Sequence, residues 1–269
     1  MARFGLIGCP ISHSKSPALF RAAYPDLDDT YELVEAADLE ESIALFLEGD
    51  FKGINVTSPY KDAVMEYVSI PDRVSSLLGS ANVLLKGEGK SCGKYDIYSY
   101  NTDYYGVKNT ILEMGKDCSS VWNKRKNPVE NILVVGAGGA GKAAALAMRD
   151  LGYKVYLANR SAGKIAEFAS VIGAEYVPLE RVAEFADKSD VIIYSLSFLV
   201  KGLKDADLSD KIIFEANYAR PVFSPECGIK TALYISGRKW LYNQAVPAFE
   251  LFVGKKPNLL KMKEIIGVE

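Results

Sequence analysis

A short apolar strand running into a glycine loop, and from there into an alanine-rich helix, constrains this chain more than any other stretch. Residues 131–135 read NILVV, and Gly136, Ala137, Gly138, Gly139, Ala140 and Gly141 follow with the spacing G-x-G-x-x-G. That spacing alone is a weak signal. The strand before it and the helix expected over 139–151 supply the context a dinucleotide-binding loop needs. Gly136 permits the tight turn, Gly138 lets a pyrophosphate approach the backbone, and Gly141 lets the helix pack on the strand. The helix start offers unpaired N–H groups and a positive dipole end to phosphate. The competing interpretation is a close-packed strand–helix turn with no ligand.

The end of the next strand bears on which dinucleotide is read. Enzymes selective for NAD place an acidic residue there, accepting from the ribose 2′-hydroxyl. This chain has Leu157, Ala158, Asn159, Arg160 and Ser161, with Lys164 one turn on. No acid is present, and a guanidinium is the natural bidentate partner of a 2′-phosphate. Asn159 and Ser161 add neutral hydrogen bonds and Lys164 adds a charge. NADP is therefore expected rather than NAD.

Strands and helices alternate along the rest of the chain, which is the mark of an α/β architecture. Strands are expected at 4–7, 30–34, 52–56, 82–85 and 91–98, with 86–89 as a turn. Ser16 reads as a helix cap followed by Pro17. Asp38 caps a helix to residue 47 with Leu39, Ile43, Phe46 and Leu47 on one face. Pro59 opens a helix containing Val64, Met65 and Val68. Residues 116–130 are polar and read as a surface connection. Beyond the glycine loop come strand 154–158, helix 162–170, and strands 190–194 and 211–214, the order of a doubly wound parallel sheet. Helices at 238–254 and 257–266 close the chain, and Pro247 should kink the first or restart it.

Composition narrows the functional classes. The chain has 269 residues, 49 % of them hydrophobic and 25 % charged, which suits a globular protein of one or two domains. The net charge of −2 provides no field favouring nucleic acid or an anionic membrane. No apolar run is long enough to span a bilayer. No apolar core precedes Pro10 and no cleavage-like site follows, so a signal peptide is not expected and a cytoplasmic location is. Cys9, Cys92, Cys118 and Cys227 are scattered without C-x-x-C spacing, so they read as free thiols and no metal or redox site is expected.

A nicotinamide enzyme acting on an alcohol needs a group to handle the hydroxyl proton. The only histidine, His13, has nothing nearby in sequence to orient it. Tyr104 and Lys108 form a Y-x-x-x-K, but it precedes the glycine loop, and the chain has 16 tyrosines, so a chance match is expected. Two other motifs are stronger. One is NVTSPYK, residues 55–61, at the end of a strand, where ligands of α/β sheets gather and where Lys61 projects from the turn. The other is Asn101, Thr102 and Asp103 at a helix start, where capping is the plainer explanation of an aspartate.

Taken in order, these segments resemble the shikimate dehydrogenase family over nearly the whole chain. The string GCPISHSKSP at 8–17 resembles its substrate loop, which implies that Ser14 and Ser16 bind substrate hydroxyl or carboxylate groups. Residues 55–61 resemble its catalytic-lysine motif, with Lys61 the proton-transfer group and Thr57 a substrate contact. Residues 79–82 and 101–103 resemble the segments carrying a substrate-binding asparagine, Asn82, and the catalytic aspartate, Asp103. Residues 237–245 resemble the segment where a glycine, Gly237, meets the cofactor and a glutamine, Gln244, meets substrate. Tyr218 matches a substrate-contacting tyrosine. Three positions depart from the family: Tyr194-Ser195-Leu196-Ser197 stands where Asn-Ala-Thr/Ser is usual, Glu215 opens its Asp-x-x-Tyr segment, and Trp240 replaces a methionine.

The resemblance implies NADPH-dependent, reversible reduction of 3-dehydroshikimate to shikimate in aromatic amino-acid biosynthesis. It implies a small-molecule partner and neither nucleic acid nor membrane, in a monomer or homodimer. It also implies a substrate domain of residues 1–103 and 238–269, with a Rossmann domain of residues 104–237 inserted. The alternatives are a quinate or quinate/shikimate dehydrogenase, and a non-catalytic sensor module. The expected mark of a sensor is loss of the lysine or the aspartate, and both are present.

Overall fold

Four consecutive residues of the first strand, Phe4 to Ile7, are buried, so both of its faces are covered and it is an interior element. The computed structural model describes residues 1–89, 95–116, 121–124 and 127–268. Two compact units divide the chain: Met1–Asp103 with Tyr242–Glu269, and Tyr104–Leu241. The first unit opens with β1 (Arg3–Ile7), α1 (Ser16–Ala23), β2 (Thr30–Val34), α2 (Leu39–Glu48) and β3 (Phe51–Val56). It continues with β4 (Ile70–Pro71), α3 (Arg73–Leu78), β5 (Val83–Glu88) and β6 (Tyr95–Tyr100). The sheet order is β2-β1-β3-β5-β6-β4. β1 runs parallel to β2 and β3, whereas β5 is antiparallel to both β3 and β6.

That mixture of directions positions the site. The carboxyl ends of β1, β3 and β6 and the amino end of β5 all fall at one edge of the sheet. The segments leaving or entering there begin at residues 8, 57, 101 and 82, so four stretches far apart in sequence are gathered together. One sheet face packs Phe4 against Phe20 and Phe252, at ring distances of 5.5 and 4.8 Å. The other buries Ile7, Ile43, Phe46, Ile54, Val56 and Leu84.

The second unit begins within α4 (Thr102–Lys116), followed by α5 (Val121–Lys124). It holds β7 (Asn131–Val135), α6 (Gly139–Asp150), β8 (Lys154–Asn159), α7 (Lys164–Val171), β9 (Glu175–Pro178) and α8 (Val182–Asp187). Then come β10 (Val191–Tyr194), α9 (Lys201–Lys204), β11 (Ile212–Glu215) and β12 (Leu233–Ile235). All six strands are parallel, in the order β12-β11-β10-β7-β8-β9. Read from β9, that is the 3-2-1-4-5-6 order of a dinucleotide fold, with its switch point between β7 and β10. α10 (Gly237–Val253) leads back to the first unit, and α11 (Leu259–Ile266) completes it.

Several sequence expectations are corrected. Pro59 opens no α-helix: Tyr60 N–H bonds back to Thr57 C=O at 3.0 Å, and only a 3₁₀ turn, Ala63–Tyr67, follows, leaving Val68 extended. Ser16 is the first helical residue rather than the cap, a position taken by Lys15. Residues 86–88 continue β5 instead of turning. α7 starts at Lys164, two residues later than expected, so Ser161 lies ahead of the helix. β4, β9 and β12 give no clear sequence signal, being two to four residues long. Asp38 does cap α2, its carboxylate accepting from Glu41 N–H at 2.9 Å. α10 runs unbroken through Pro247. Parts of the 116–130 connection, residues 91–94 of an expected strand, Cys92 and Cys118 lie outside the described residues. Among the described residues no helix is long and apolar enough to cross a membrane.

Candidate active site

At the gathered edge of the first sheet, Lys61 Nζ donates to Asp103 Oδ2 at 2.5 Å. The lysine side chain is 20 % exposed and the aspartate 9 %, so the pair is mostly withdrawn from water yet reachable. Its backbone is fixed from both sides. Ala81 N–H bonds Lys61 C=O at 2.9 Å, tying the lysine turn to the segment that enters β5. Asp103 sits in the first turn of α4, where the helix dipole favours a carboxylate. Its carboxylate faces an ammonium 42 residues away in sequence, a use that capping does not explain.

Beside the pair lies a buried polar wall. Asn82 Oδ1 accepts from Thr102 N–H at 2.7 Å. Asn82 Nδ2 donates to Thr102 Oγ1 at 3.0 Å and to Gln244 Oε1 at 3.2 Å. Thr102 Oγ1 also donates to Gln244 Oε1 at 3.2 Å. Asn82 and Gln244, 162 positions apart, thus meet directly, and both bond Thr102, for which the sequence suggests no role beyond the helix start. The serine loop is tied to the same edge by Cys9 N–H to Ser58 C=O at 3.1 Å and Thr57 N–H to Ile7 C=O at 2.9 Å. Thr57 packs its methyl where a side chain on Gly8 would stand. Ser14 Oγ donates to Ser16 Oγ and accepts from Ser16 N–H, each at 3.2 Å. Of the eight residues the sequence suggests for chemistry and substrate, the first unit holds seven; Tyr218 belongs to the second.

In the second unit Gly136 has φ +95°, a conformation side chains resist. A Cβ on Gly141 would stand 1.9 Å from Gly136 O, so only glycine lets α6 approach β7 this closely. At Gly138 a Cβ would meet nothing within 4 Å, and no side chain caps α6 there. The loop therefore presents an open backbone face at an uncapped helix start, which suits a pyrophosphate. Arg160 follows β8 directly. Arg160, Ser161 and Lys164 are exposed, and neither cation has an ion-pair partner among the described residues. Asn159 Nδ2 donates to Ser161 C=O at 3.1 Å, shaping that turn. Tyr104 and Lys108 form a packing contact: Lys108 Nζ donates to Tyr104 Oη at 3.2 Å, and Tyr104 donates to Asp150 at 2.7 Å.

With this geometry in hand, comparison with known proteins is informative. The family model for the shikimate dehydrogenase substrate binding domain matches residues 6–84, and that for shikimate / quinate 5-dehydrogenase matches residues 123–208. Shikimate dehydrogenase (NADP(+)) of Archaeoglobus fulgidus is 30 % identical to this chain, covering 98 % of it and 97 % of the relative. The chain belongs to the shikimate dehydrogenase family. The structure of shikimate 5-dehydrogenase from Thermus thermophilus in complex with shikimate superposes with a TM-score of 0.78 at 27 % identity, covering 99 % of this chain and 98 % of that one. The same enzyme in complex with NADP(H) and shikimate gives 0.77 at 25 % identity, with 99 % of each chain covered.

The departures from the shikimate dehydrogenase pattern have structural explanations within the second unit. Tyr194 is fully buried, donates to Phe198 C=O at 2.6 Å and accepts from Val200 N–H at 3.0 Å. It folds the loop after β10, and burial pushes its hydroxyl up to about 12. Ser195 Oγ donates to Val135 C=O at 3.0 Å, so that loop is pinned to the glycine turn. Glu215 accepts from Val222 N–H at 2.7 Å, and from Phe223 N–H and Tyr234 Oη at 3.1 Å. Burial raises its carboxyl above the usual range, against the pull of these donors. It thereby closes the loop that carries Tyr218, whose own hydroxyl is raised by burial. Trp240 packs on Phe214 at a ring distance of 5.3 Å, and a Cβ on Gly237 would stand 2.3 Å from Ala216 O, so close packing accounts for both.

Proposed function

We propose that the protein is an NADP-dependent shikimate dehydrogenase, reducing 3-dehydroshikimate to shikimate reversibly in aromatic amino-acid biosynthesis. The observation that carries the reading is the Lys61–Asp103 pair beside the Asn82–Thr102–Gln244 wall. A ring bearing three hydroxyls and a carboxylate needs convergent donors and acceptors, and Ser14, Ser16, Thr57, Asn82, Tyr218 and Gln244 are that inventory. Lys61 gives its proton to the carbonyl oxygen as that oxygen gains charge, and takes it back in the oxidation direction. Asp103 holds the ammonium and orients the substrate hydroxyl. An analogue lacking a hydroxyl leaves members of the wall unpaired and is rejected.

The second unit suits the cofactor. The open face at Gly138 and the uncapped start of α6 accept a pyrophosphate across Gly136, Ala137, Gly138, Gly139, Ala140 and Gly141. Arg160, with Asn159, Ser161 and Lys164 around it, supplies the charge that a 2′-phosphate requires. Gly237 completes the cofactor set. NADPH, when bound, supplies the hydride. On this reading residues 1–103 with the C-terminal helices are the substrate domain of a cytoplasmic enzyme, monomeric or homodimeric, and the inserted block is the cofactor domain. Mixing protein, NADP⁺ and shikimate and following near-ultraviolet absorbance tests the proposal, with quinate and NAD⁺ as controls. Absorbance should rise with shikimate and NADP⁺. A rise with quinate and NAD⁺ alone would favour a quinate enzyme, and none with any pair would leave the sensor alternative.

A further inference from the structure

Tyr31 lies on β2, an edge strand, at a register position opposite Phe4. Its ring joins an apolar cluster, 5.2 Å from Phe20, 5.8 Å from Phe249 and 6.4 Å from Phe252. Phenylalanine would fill that place equally well, so packing does not account for the hydroxyl. The hydroxyl donates to Asn55 Oδ1 at 2.8 Å. Asn55 is itself buried, and its Nδ2 donates to Asn82 C=O at 3.0 Å. A chain of hydrogen bonds thus runs from Tyr31 through Asn55 to Asn82, whose side chain holds Thr102 and Gln244.

We infer that Tyr31 is a positioning residue for substrate binding, its hydroxyl orienting the Asn55 amide so that it braces the Asn82 wall from behind. The inference rests on the function proposed above. A phenol has one proton and two lone pairs. With the proton committed to Asn55 Oδ1, the phenol fixes which way the amide faces and so turns Nδ2 toward Asn82 C=O.

The test is Tyr31→Phe, which keeps the ring and removes the hydroxyl. Loss of one hydrogen bond should raise the KM for shikimate about 3–30-fold. Turnover number and the KM for NADP⁺ should stay within about twofold, because the proton-transfer pair and the cofactor loop are untouched. Asn55→Asp, which still accepts from Tyr31 but cannot donate to Asn82, should give the same split. The thermal shift produced by shikimate alone should shrink in both variants. An unchanged KM for shikimate in either variant overturns the inference, as does a parallel change in turnover and both KM values. A wild type that does not oxidise shikimate with NADP⁺ refutes the functional reading and this inference with it. A wild type that does so beside an unaltered Tyr31→Phe refutes the role of Tyr31 alone.

Discussion

Replacing Lys61 by alanine isolates the central chemical claim. The substitution removes the ammonium that bonds Asp103 and leaves a carboxylate that is 9 % exposed. Two effects follow and can be separated. The fold loses a partly buried ion pair; a fully buried pair broken on one side costs about 3–5 kcal/mol, and the reachable side of this one brings that to about 1–3 kcal/mol. The first turn of α4 softens the cost, because its dipole still stabilises the lone carboxylate. The reaction loses a general acid, worth roughly 10²–10⁴-fold in turnover, or about 3–5 kcal/mol of barrier. Initial rates of NADPH formation from shikimate, at a temperature where circular dichroism shows the variant folded, measure the second effect alone. The KM for NADP⁺ should hardly move, since the residues proposed for cofactor lie in the other unit. If the two side chains act as one device, Lys61→Ala combined with Asp103→Asn should be little worse than the more damaging single change. Near-wild-type turnover in Lys61→Ala, or losses that multiply in the double variant, would refute the reasoning.

Three further outcomes are expected. Arg160→Ala should raise the KM for NADP⁺ about 10–100-fold, the worth of one charge-assisted bidentate contact, while NAD⁺ kinetics stay the same; equal losses for both cofactors would show that the arginine does not read the phosphate. Gly141→Ala forces a methyl to 1.9 Å from Gly136 O, so α6 must shift; about 1–3 kcal/mol of stability and at least about tenfold in NADP⁺ affinity should go, and an unchanged melting curve would contradict that packing. Tyr194→Phe tests the buried hydroxyl through pH. In the unfolded chain this phenol ionises near 10, whereas in the native protein it holds its proton to about 12. The unfolded state therefore binds fewer protons across that window, and wild-type stability falls as pH rises. Phenylalanine has no such loss, so the advantage of wild type should shrink by about 1 kcal/mol by pH 11, measured by urea unfolding; a constant gap between pH 9 and 11 would sink the assignment.

Local chemistry made much of this molecule readable from its sequence. The run from β7 into α6 announces itself because an apolar strand, a glycine turn and an alanine helix all agree. Asp38 announces α2 by the capping rule. Pairings between distant residues are another matter. Nothing in the chain's local pattern says that Asn82 meets Gln244, since both are ordinary polar residues and the contact depends on β5 running antiparallel to β3. Tyr194 holds a loop and Tyr31 orients Asn55 through their hydroxyls, yet with 16 tyrosines in the chain neither stands out. Pro59 misleads because its turn closes on Thr57 before a helix can start. Strands β9 and β12 lie at sheet edges and bury few residues, so they carry too little hydrophobic pattern to be seen.

The discontinuity of the first unit has a consequence for how the chain matures during synthesis. Phe4 and Phe20 find Phe252 and Phe249 only once about 230 further residues have been made. The inserted block, by contrast, gathers its own contacts within residues 104–241. On the ribosome the middle of the protein can therefore close first, while the opening strands wait with one greasy surface bare. A chaperone would be needed most in that interval, and a stop codon placed after residue 241 should leave one half native and the other prone to clump.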